Sequence, residues 1–576
     1  MSQIKHVLRL HPSTVGNMLN LKYLIFYSRN TGKKLLADEY DNVSLPNELR
    51  YLQWHYYPFK NLLSFNPKNL VILELSHGNM EQLWDDDDYQ DLVNLRTIVL
   101  FGCKNLRKIP KLLGAINLDR LECARCESLV ELPCLNHLAS LDSLHLEECR
   151  SLKKFPELPK NISFLYLQET GIEEVPDSIE HLTGLEMLFL SGTRVKNVST
   201  RISELESLWV LDLSNCSIAE FPETPINLRE LRLPGTEIEE VLSRIDRESS
   251  LTHLNLSGTR ITTVDVASLV ISFENLDHLK INYCDNLKLL SEVPPNLSYL
   301  EAHGCTSLEK VTFIDQNLFE VPNDIFMIFS DCFNFNKDSI DNIEETAMFK
   351  VRAQVERWIL LWESGCASQS LFFCFPGNEI SANKFEFQSL NSSINLKIAP
   401  NWRIGGRFLA FAICLVADLT NCSDYEYIER ICEYQLEATS GGNEKFQTKW
   451  SDSQWQYFES DLEFSGEHVL ILFNDNMVKK DKDYEEASFE FYIKGYSSWG
   501  DDRFDIIKVK KCGVGVFYVD EDQFDEMSNG ESDKDQIDET SSDASDEDQI
   551  DETSSDASDE DQEMCNIEEM SKDVSY

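Results

Sequence analysis

The phrase Leu-x-x-Leu-x-Leu-x-x-(Cys/Thr)-x-x-Leu recurs twelve times in this chain, starting at Leu49, Leu70, Leu95, Leu118, Leu141, Ile162, Leu185, Leu208, Leu228, Leu251, Leu276 and Leu297. The starts lie roughly 20 to 25 residues apart, the period of leucine-rich repeats, in which each unit supplies one short strand and buries its apolar side only by stacking on its neighbours. This spacing predicts an α/β leucine-rich-repeat solenoid of about 12 repeats with a parallel sheet lining its concave side.

Side chains alternate along a strand, so the leucines point into the core and the residues between them face the concavity. That rule places Val99, Phe101, Phe164, Tyr166, Met187, Phe189 and Val210 on the concave face. Neighbouring strands are about 4.8 Å apart, so Phe164, Tyr166, Met187 and Phe189 are expected to form one apolar patch. Arg120, Glu122, His145 and Glu147 flank it on one side, and Asp212, Glu230 and Arg232 on the other. An apolar centre inside a polar rim is the anatomy of a protein-binding surface. The contact could be with a separate protein or with another part of the same polypeptide.

Six of the 16 cysteines (Cys103, Cys126, Cys149, Cys216, Cys284, Cys305) occupy one fixed position of the repeat, which holds Thr170, Thr193, Thr236 and Thr259 elsewhere and Gly78 in the repeat at Leu70. A small side chain able to hydrogen-bond suits the point where the chain leaves the strand and its backbone groups need partners. These thiols therefore read as buried and reduced, not as a disulfide framework. Cys123-x-x-Cys126 reads the same way, one in a core position and one in the ladder, because no second pair follows at zinc spacing.

Residues 1–45 are expected to form a lead-in or cap, since 19–27 carry a repeat-like pattern without the full phrase and a solenoid end needs a cover. The repeats are assigned to 46–320. Their connections are of two kinds: helical text such as Pro176-Asp177-Ser178-Ile179, with Asp177 or Ser178 as the expected cap, and proline-broken text such as Pro156-Glu157-Leu158-Pro159. Beyond residue 320 come two helical stretches within 337–362. Aromatic-rich alternating segments then follow at 371–375, 394–398, 408–416, 468–473, 488–493 and 514–519. These predict an all-β sandwich over 321–520. Trp450, Trp455, Tyr457 and Phe458 read as core of that sandwich in preference to a loop anchor.

The region 521–576 is different in kind. From Asp520 onward there are 24 acidic side chains and 2 lysines, or −22 of the net −48, and the 13-residue block at 535–547 is repeated letter for letter at 548–560. Few apolar groups and dense like charge cannot offset ordering entropy, so a disordered acidic tail is expected. Ser545 and Ser558 each precede Asp-Glu-Asp, the context of acid-directed kinases, although a tandem duplication alone accounts for the pair.

Charge also excludes partners. A polyanion needs Lys and Arg that displace counterions, and no face of this sequence gathers enough of them, so neither nucleic acid nor an anionic membrane surface is an expected partner. No signal-like segment opens the chain, and its longest apolar run, 408–419, is shorter than the roughly 20 residues that span a bilayer. A cytoplasmic or nucleocytoplasmic protein is the expectation. No phosphate loop, nucleophile elbow, zincin motif or kinase set is present, so the residues predict no catalytic, cofactor or metal site. The acidic run at 85–88 reads as a solvated loop.

Certain strings go beyond leucine spacing. Leu45-Pro46-Asn47-Glu48-Leu49-Arg50-Tyr51-Leu52-Gln53-Trp54, Asn69-Leu70-Val71-Ile72-Leu73-Glu74-Leu75 with Gln82-Leu83-Trp84, and Cys126-Glu127-Ser128-Leu129-Val130-Glu131-Leu132-Pro133 resemble the repeats of plant intracellular immune receptors of the TIR-NB-LRR type. Asp331-Cys332-Phe333, Phe375-Pro376-Gly377-Asn378-Glu379-Ile380, Pro400-Asn401-Trp402 and Val509-Lys510-Lys511-Cys512-Gly513-Val514 resemble the C-terminal jelly-roll and Ig-like domain that follows those repeats. The resemblance covers about residues 15 to 520 and omits the TIR and nucleotide-binding parts. It implies a non-enzymatic sensor of a pathogen effector or a guarded host protein, with sandwich loops contributing to the contact. Two other readings stay open. In one, the chain is part of a receptor whose upstream TIR domain cleaves NAD and whose nucleotide-binding domain switches; in the other, it is an adaptor that partners a TIR/NB-ARC chain.

Overall fold

The computed structural model describes residues 15–26, 45–62, 68–84, 91–239, 245, 250–265, 275–314, 321–361, 368–398, 407–420, 422, 425, 427–451, 464–480, 483–497 and 503–520. All fall in the first of the two units into which the chain divides, Met1–Glu521 and Asp522–Tyr576. The acidic tail, Ser545, Ser558, the run at 85–88, Trp455, Tyr457 and Phe458 lie outside the described residues.

Each repeat folds as the alternation requires. Three-residue strands such as Phe164–Tyr166 and Met187–Phe189 bury their central leucine and leave the outer two partly accessible. Neighbouring strands pair in parallel and in strict register, Leu144 on Leu165 on Leu188 on Leu211. This places the leucines in columns that are 0% exposed. Burying one leucine contributes about 1.5–3 kcal/mol, so the column is the main cohesive term between repeats. Tyr23–Phe26 adds a lead-in strand on Tyr51–Trp54. The convex side closes with smaller parallel ladders, Glu174–Val175 on Asn197–Val198, and Thr263–Asp265, Leu289–Val293 and Lys310–Phe313.

Two side-chain ladders satisfy the backbone at either end of each strand. At the entry, Asn69, Asn94 and Asn117 donate their amides to the carbonyls of Asn47, Lys68 and Val93 in the preceding repeat. At the exit, Cys103, Cys126, Cys149, Cys216, Cys284 and Cys305 donate Sγ–H to the carbonyls of Leu75, Leu100, Cys123, Leu190, Leu256 and Ile281, at 2.9–3.2 Å. Where threonine takes the place, Thr170, Thr236 and Thr259 bond instead within their own repeat, to Leu167, Leu233 and Leu256. Gly78 is admitted because a Cβ there would lie 2.6 Å from Met80 Cε and 2.9 Å from the Leu75 carbonyl. The ladder cysteines and Cys123 are free and buried, and burial pushes the Cys123 thiol well up.

The residue just before the ladder position adopts the left-handed conformation in every repeat: Tyr56, His77, Arg125, Glu148, Glu169, Asn215, Tyr283 and Asp331, with glycines at 102, 192, 235, 258 and 304, all at φ of 53–69°. An L-residue there costs roughly 1–2 kcal/mol. Gly258→Ala is expected to lower stability by about 1 kcal/mol from φ alone. Gly304→Ala should cost more, about 2–3 kcal/mol, because its new methyl would also meet the Tyr283 ring at 2.8 Å. Thermal unfolding of the two variants checks the order.

The helical text at 176 forms a short 3₁₀ turn, Asp177–His181, and neither Asp177 nor Ser178 caps it; Pro176 holds that position without a side-chain bond. Asp177 instead accepts from Ser199 Oγ at 2.6 Å, and Ser199 caps the next turn by accepting from Arg201 N. The two expected helical stretches are one helix, Lys337–Leu361.

The stack continues past the legible phrase. Asp324–Ile328 pairs on Tyr299–Glu301, and Cys332 Sγ donates to the Ala302 carbonyl at 2.9 Å, as a ladder cysteine does. Ser370–Pro376 then adds in parallel to Asp324–Ile328 and pairs antiparallel with Glu467–Asn474, so the concave sheet runs into the sandwich as one 20-stranded sheet. Arg407–Asp418, Val509–Asp520, Phe387–Ser389 and the short Val478–Lys480 complete that layer. The second layer is a five-stranded sheet of Ser393–Lys397, Tyr484–Tyr496, Tyr427–Ala438, Asn443–Ser451 and Phe504–Ile507. Phe411 meets Phe489 at 5.2 Å between the layers. Trp450 is core, with Nε1 donating to the Phe473 carbonyl at 2.9 Å. The all-β region thus follows the solenoid as expected. Strands Tyr427–Ala438 and Asn443–Ser451 were not among the segments expected.

Candidate protein-binding face

Strand register decides which side chains meet on the concave face. Phe164 pairs with Met187, and Tyr166 with Phe189, so the four stand in two adjacent strands, all partly accessible. His145 extends the row: its ring stacks on Tyr166 at 4.3 Å and 11°, and Tyr166 stacks on Phe189 at 5.1 Å and 7°. Burial in this row pushes the Tyr166 hydroxyl pKa up, with the Glu147 charge adding to it.

Val210 occupies the next place beside Met187 but is only 2% exposed. It supports the patch and presents no surface of its own, contrary to the alternation rule applied alone. Asp212 is likewise 7% exposed, covered by its neighbours, accepting from Ser214 N at 2.9 Å and Ser214 Oγ at 2.5 Å with Arg232 4.0 Å away. Val99 and Phe101 stand two repeats from His145: Val99 ends the strand Thr97–Val99, partly accessible, and Phe101 belongs to a separate cluster at the strand exits, where Tyr56 stacks on His77, His77 meets Phe101 at 5.2 Å, and Arg125 covers Phe101 at 5.4 Å.

The charged flanks are paired among themselves. Arg120 holds Glu122 at 2.7 Å, Arg232 holds Glu230 at 2.6 Å, and His145 Nδ1 lies 3.2 Å from Glu147 Oε1. Exposed pairs contribute only about 0–1 kcal/mol, so they fix the rim more than they stabilise the fold.

A second ring ladder was not anticipated. His253, His278, Tyr299, Phe326 and Phe372 stack in sequence at 4.2–5.4 Å, and Arg430 of the second sandwich sheet lies over Phe372 at 4.6 Å. The row passes from partly accessible histidines to buried rings, tying the concave face to the sandwich. Its signal was present, because the same strand position holds His, His and Tyr in the repeats at Leu251, Leu276 and Leu297.

Among the described residues no group of three or more His, Cys, Asp or Glu is placed to hold a metal ion, and no helix is long and apolar enough to cross a membrane. What the face offers is area, apolar rings and fixed charge.

Fold and face together define a leucine-rich-repeat protein with a C-terminal all-β domain. Residues 375–523 match the C-JID domain family. The chain is 28% identical over 610 residues to Disease resistance-like protein DSC1 of Arabidopsis thaliana, covering 89% of this chain and 50% of that one. It is 28% identical over 573 residues to Disease resistance protein RPS4B of the same plant, covering 90% and 45%. Among solved structures, YopM from Yersinia enterocolitica is similar at 19% identity and a TM-score of 0.40, over 55% of this chain and 68% of that one. Over most of its length, then, the chain is homologous to Arabidopsis TIR-NB-LRR disease resistance proteins, as its repeat text suggested. It spans about half the length of these relatives.

Proposed function

We propose that the chain is the sensor portion of a plant intracellular immune receptor, and that it recognises a pathogen effector, or a host protein altered by one, by direct protein contact. The observation that carries this reading is the partly accessible patch of Phe164, Tyr166, Met187 and Phe189 inside a rim of fixed charges, in a chain homologous to disease resistance proteins. Aromatic residues and methionine dominate contact energy at protein interfaces, and a pre-stacked row loses little side-chain entropy on binding. The post-repeat domain adds contacts through its loops, and the protein works in the cytoplasm or between cytoplasm and nucleus. The catalytic and nucleotide-switching steps of such a receptor belong to other domains.

The experiment is co-precipitation from plant tissue with and without pathogen effectors. The sensor reading expects capture of an effector or its modified host target. Capture of a receptor chain in the absence of pathogen would favour an adaptor instead. Phe164→Asp with Phe189→Asp is expected to weaken capture at least 100-fold while the melting temperature stays near wild type, because both side chains are partly solvated in the free chain. Unchanged capture would reject the face.

A further inference from the structure

The concave patch also carries unmet hydrogen-bonding capacity. Among the described residues, Glu147 Oε2 and Gln168 Oε1 are shielded from water and have no hydrogen-bond partner. They come from equivalent places in consecutive repeats, held side by side by the bond from Glu148 N to the Gln168 carbonyl. Both follow the strands that carry His145 and Tyr166, so they lie along the strand-exit side of the ring stack. A buried acceptor without a donor is costly, and a partner that supplies donors recovers that cost on binding.

Ring geometry says where a charge would go. His145, Tyr166 and Phe189 cover one another's faces, leaving ring edges toward the concavity. Edges are the positive rim of an aromatic quadrupole, so they accept apolar groups and repel a cation. The nearby cations are already held, Arg120 by Glu122 and Arg232 by Glu230. Glu147 is held only on one oxygen, by His145, and its side chain is 28% exposed.

We infer that the patch takes a protein segment in which a large apolar side chain stands beside a lysine or arginine. The apolar group seats on the edges of Tyr166 and Phe189 next to Phe164 and Met187, and the cation is received by Glu147 and Gln168. This rests on the concave face being the binding surface, and it adds the chemistry of what binds there.

The test is to pan a phage-displayed random peptide library on the full chain and to titrate synthetic copies of the enriched peptides against three variants. Enriched peptides are expected to carry Lys or Arg within about two positions of Leu, Phe, Trp or Met. Glu147→Gln combined with Gln168→Leu should weaken them about tenfold and flatten their salt dependence. Phe189→Asp should abolish binding. Peptides with no basic preference, or bound equally by the Glu147→Gln, Gln168→Leu chain, would overturn the inference while leaving the face standing if Phe189→Asp still abolishes binding. Peptides bound equally by the Phe189→Asp chain would overturn both. Glu147→Gln alone, which keeps size and shape, guards against a folding defect as the cause of any loss.

Discussion

Lys350→Met is expected to raise the stability of the chain at pH 6 by on the order of 3 kcal/mol. Lys350 lies in the helix Lys337–Leu361 and is 0% exposed; its ammonium donates to the Pro295 carbonyl at 2.8 Å. Burial pulls its pKa down to about 7. Below pH 7 both folded and unfolded chains hold the proton, and the full cost of a buried ammonium is present. Between pH 7 and about 10.5 the unfolded chain keeps the proton and the folded chain releases it, so the wild type gains stability as pH rises. The methionine variant lacks this contribution. Denaturant unfolding of both proteins from pH 6 to 10 checks it: the gap should be widest at pH 6 and close toward pH 10. A variant less stable than wild type at pH 6 would mean that the bond to Pro295 outweighs the burial cost.

Asp331→Ala is expected to cost about 2–4 kcal/mol and to loosen the sandwich from the last repeat. Asp331 stands at the left-handed turn of that repeat, φ 59°, beside the ladder residue Cys332. Its carboxylate accepts from Ser465 N at 3.1 Å and Ser465 Oγ at 2.7 Å, on the turn that leads into Glu467–Asn474. His468, fully buried, accepts from the Asp331 backbone N–H through Nε2 at 3.1 Å, with the carboxylate beside the same ring nitrogen. Burial pushes the Asp331 carboxyl up, but His468 and the two Ser465 bonds outweigh it and hold the group below its ordinary value. Its contribution is therefore full above about pH 4 and is lost as pH falls through the lowered pKa. Asp331→Asn tolerates the turn conformation but loses the charge, and should fall between wild type and alanine. The measurement is acid unfolding followed in parallel by near-ultraviolet signal and by proteolysis of the sandwich.

Much of this architecture was legible because a solenoid writes its contacts at a fixed period. Leu165, Leu188 and Leu211 are buried in register for the same reason that they repeat in the text, and Cys126 and Cys149 fill a slot whose hydrogen bond recurs wherever cysteine occupies it. Cys332 escaped because its repeat has Met327 and Phe329 where the phrase calls for leucine, and the stack tolerates the larger side chains. Tyr427–Ala438 escaped although Ile428, Cys432, Tyr434 and Leu436 alternate with Glu429, Glu433, Gln435 and Glu437, since the acids masked a strand that is polar on its outer face. At the candidate face, strand alternation placed Phe164, Tyr166, Met187 and Phe189 together. The burial of Val210 and Asp212 depends on the packing of neighbouring side chains, which no single repeat encodes.

Hydroxyl-radical footprinting of the chain, free and bound to the partner it captures, tests the concave-face reading most directly, because methionine and aromatic side chains are intrinsically reactive and report their own accessibility. The expected result is strong protection at Met187, Phe189, Tyr166 and Phe164 on binding, with the exposed sandwich-edge residues Phe504 and Ile506 unchanged. Unaltered oxidation of those four side chains in a saturated complex would contradict it.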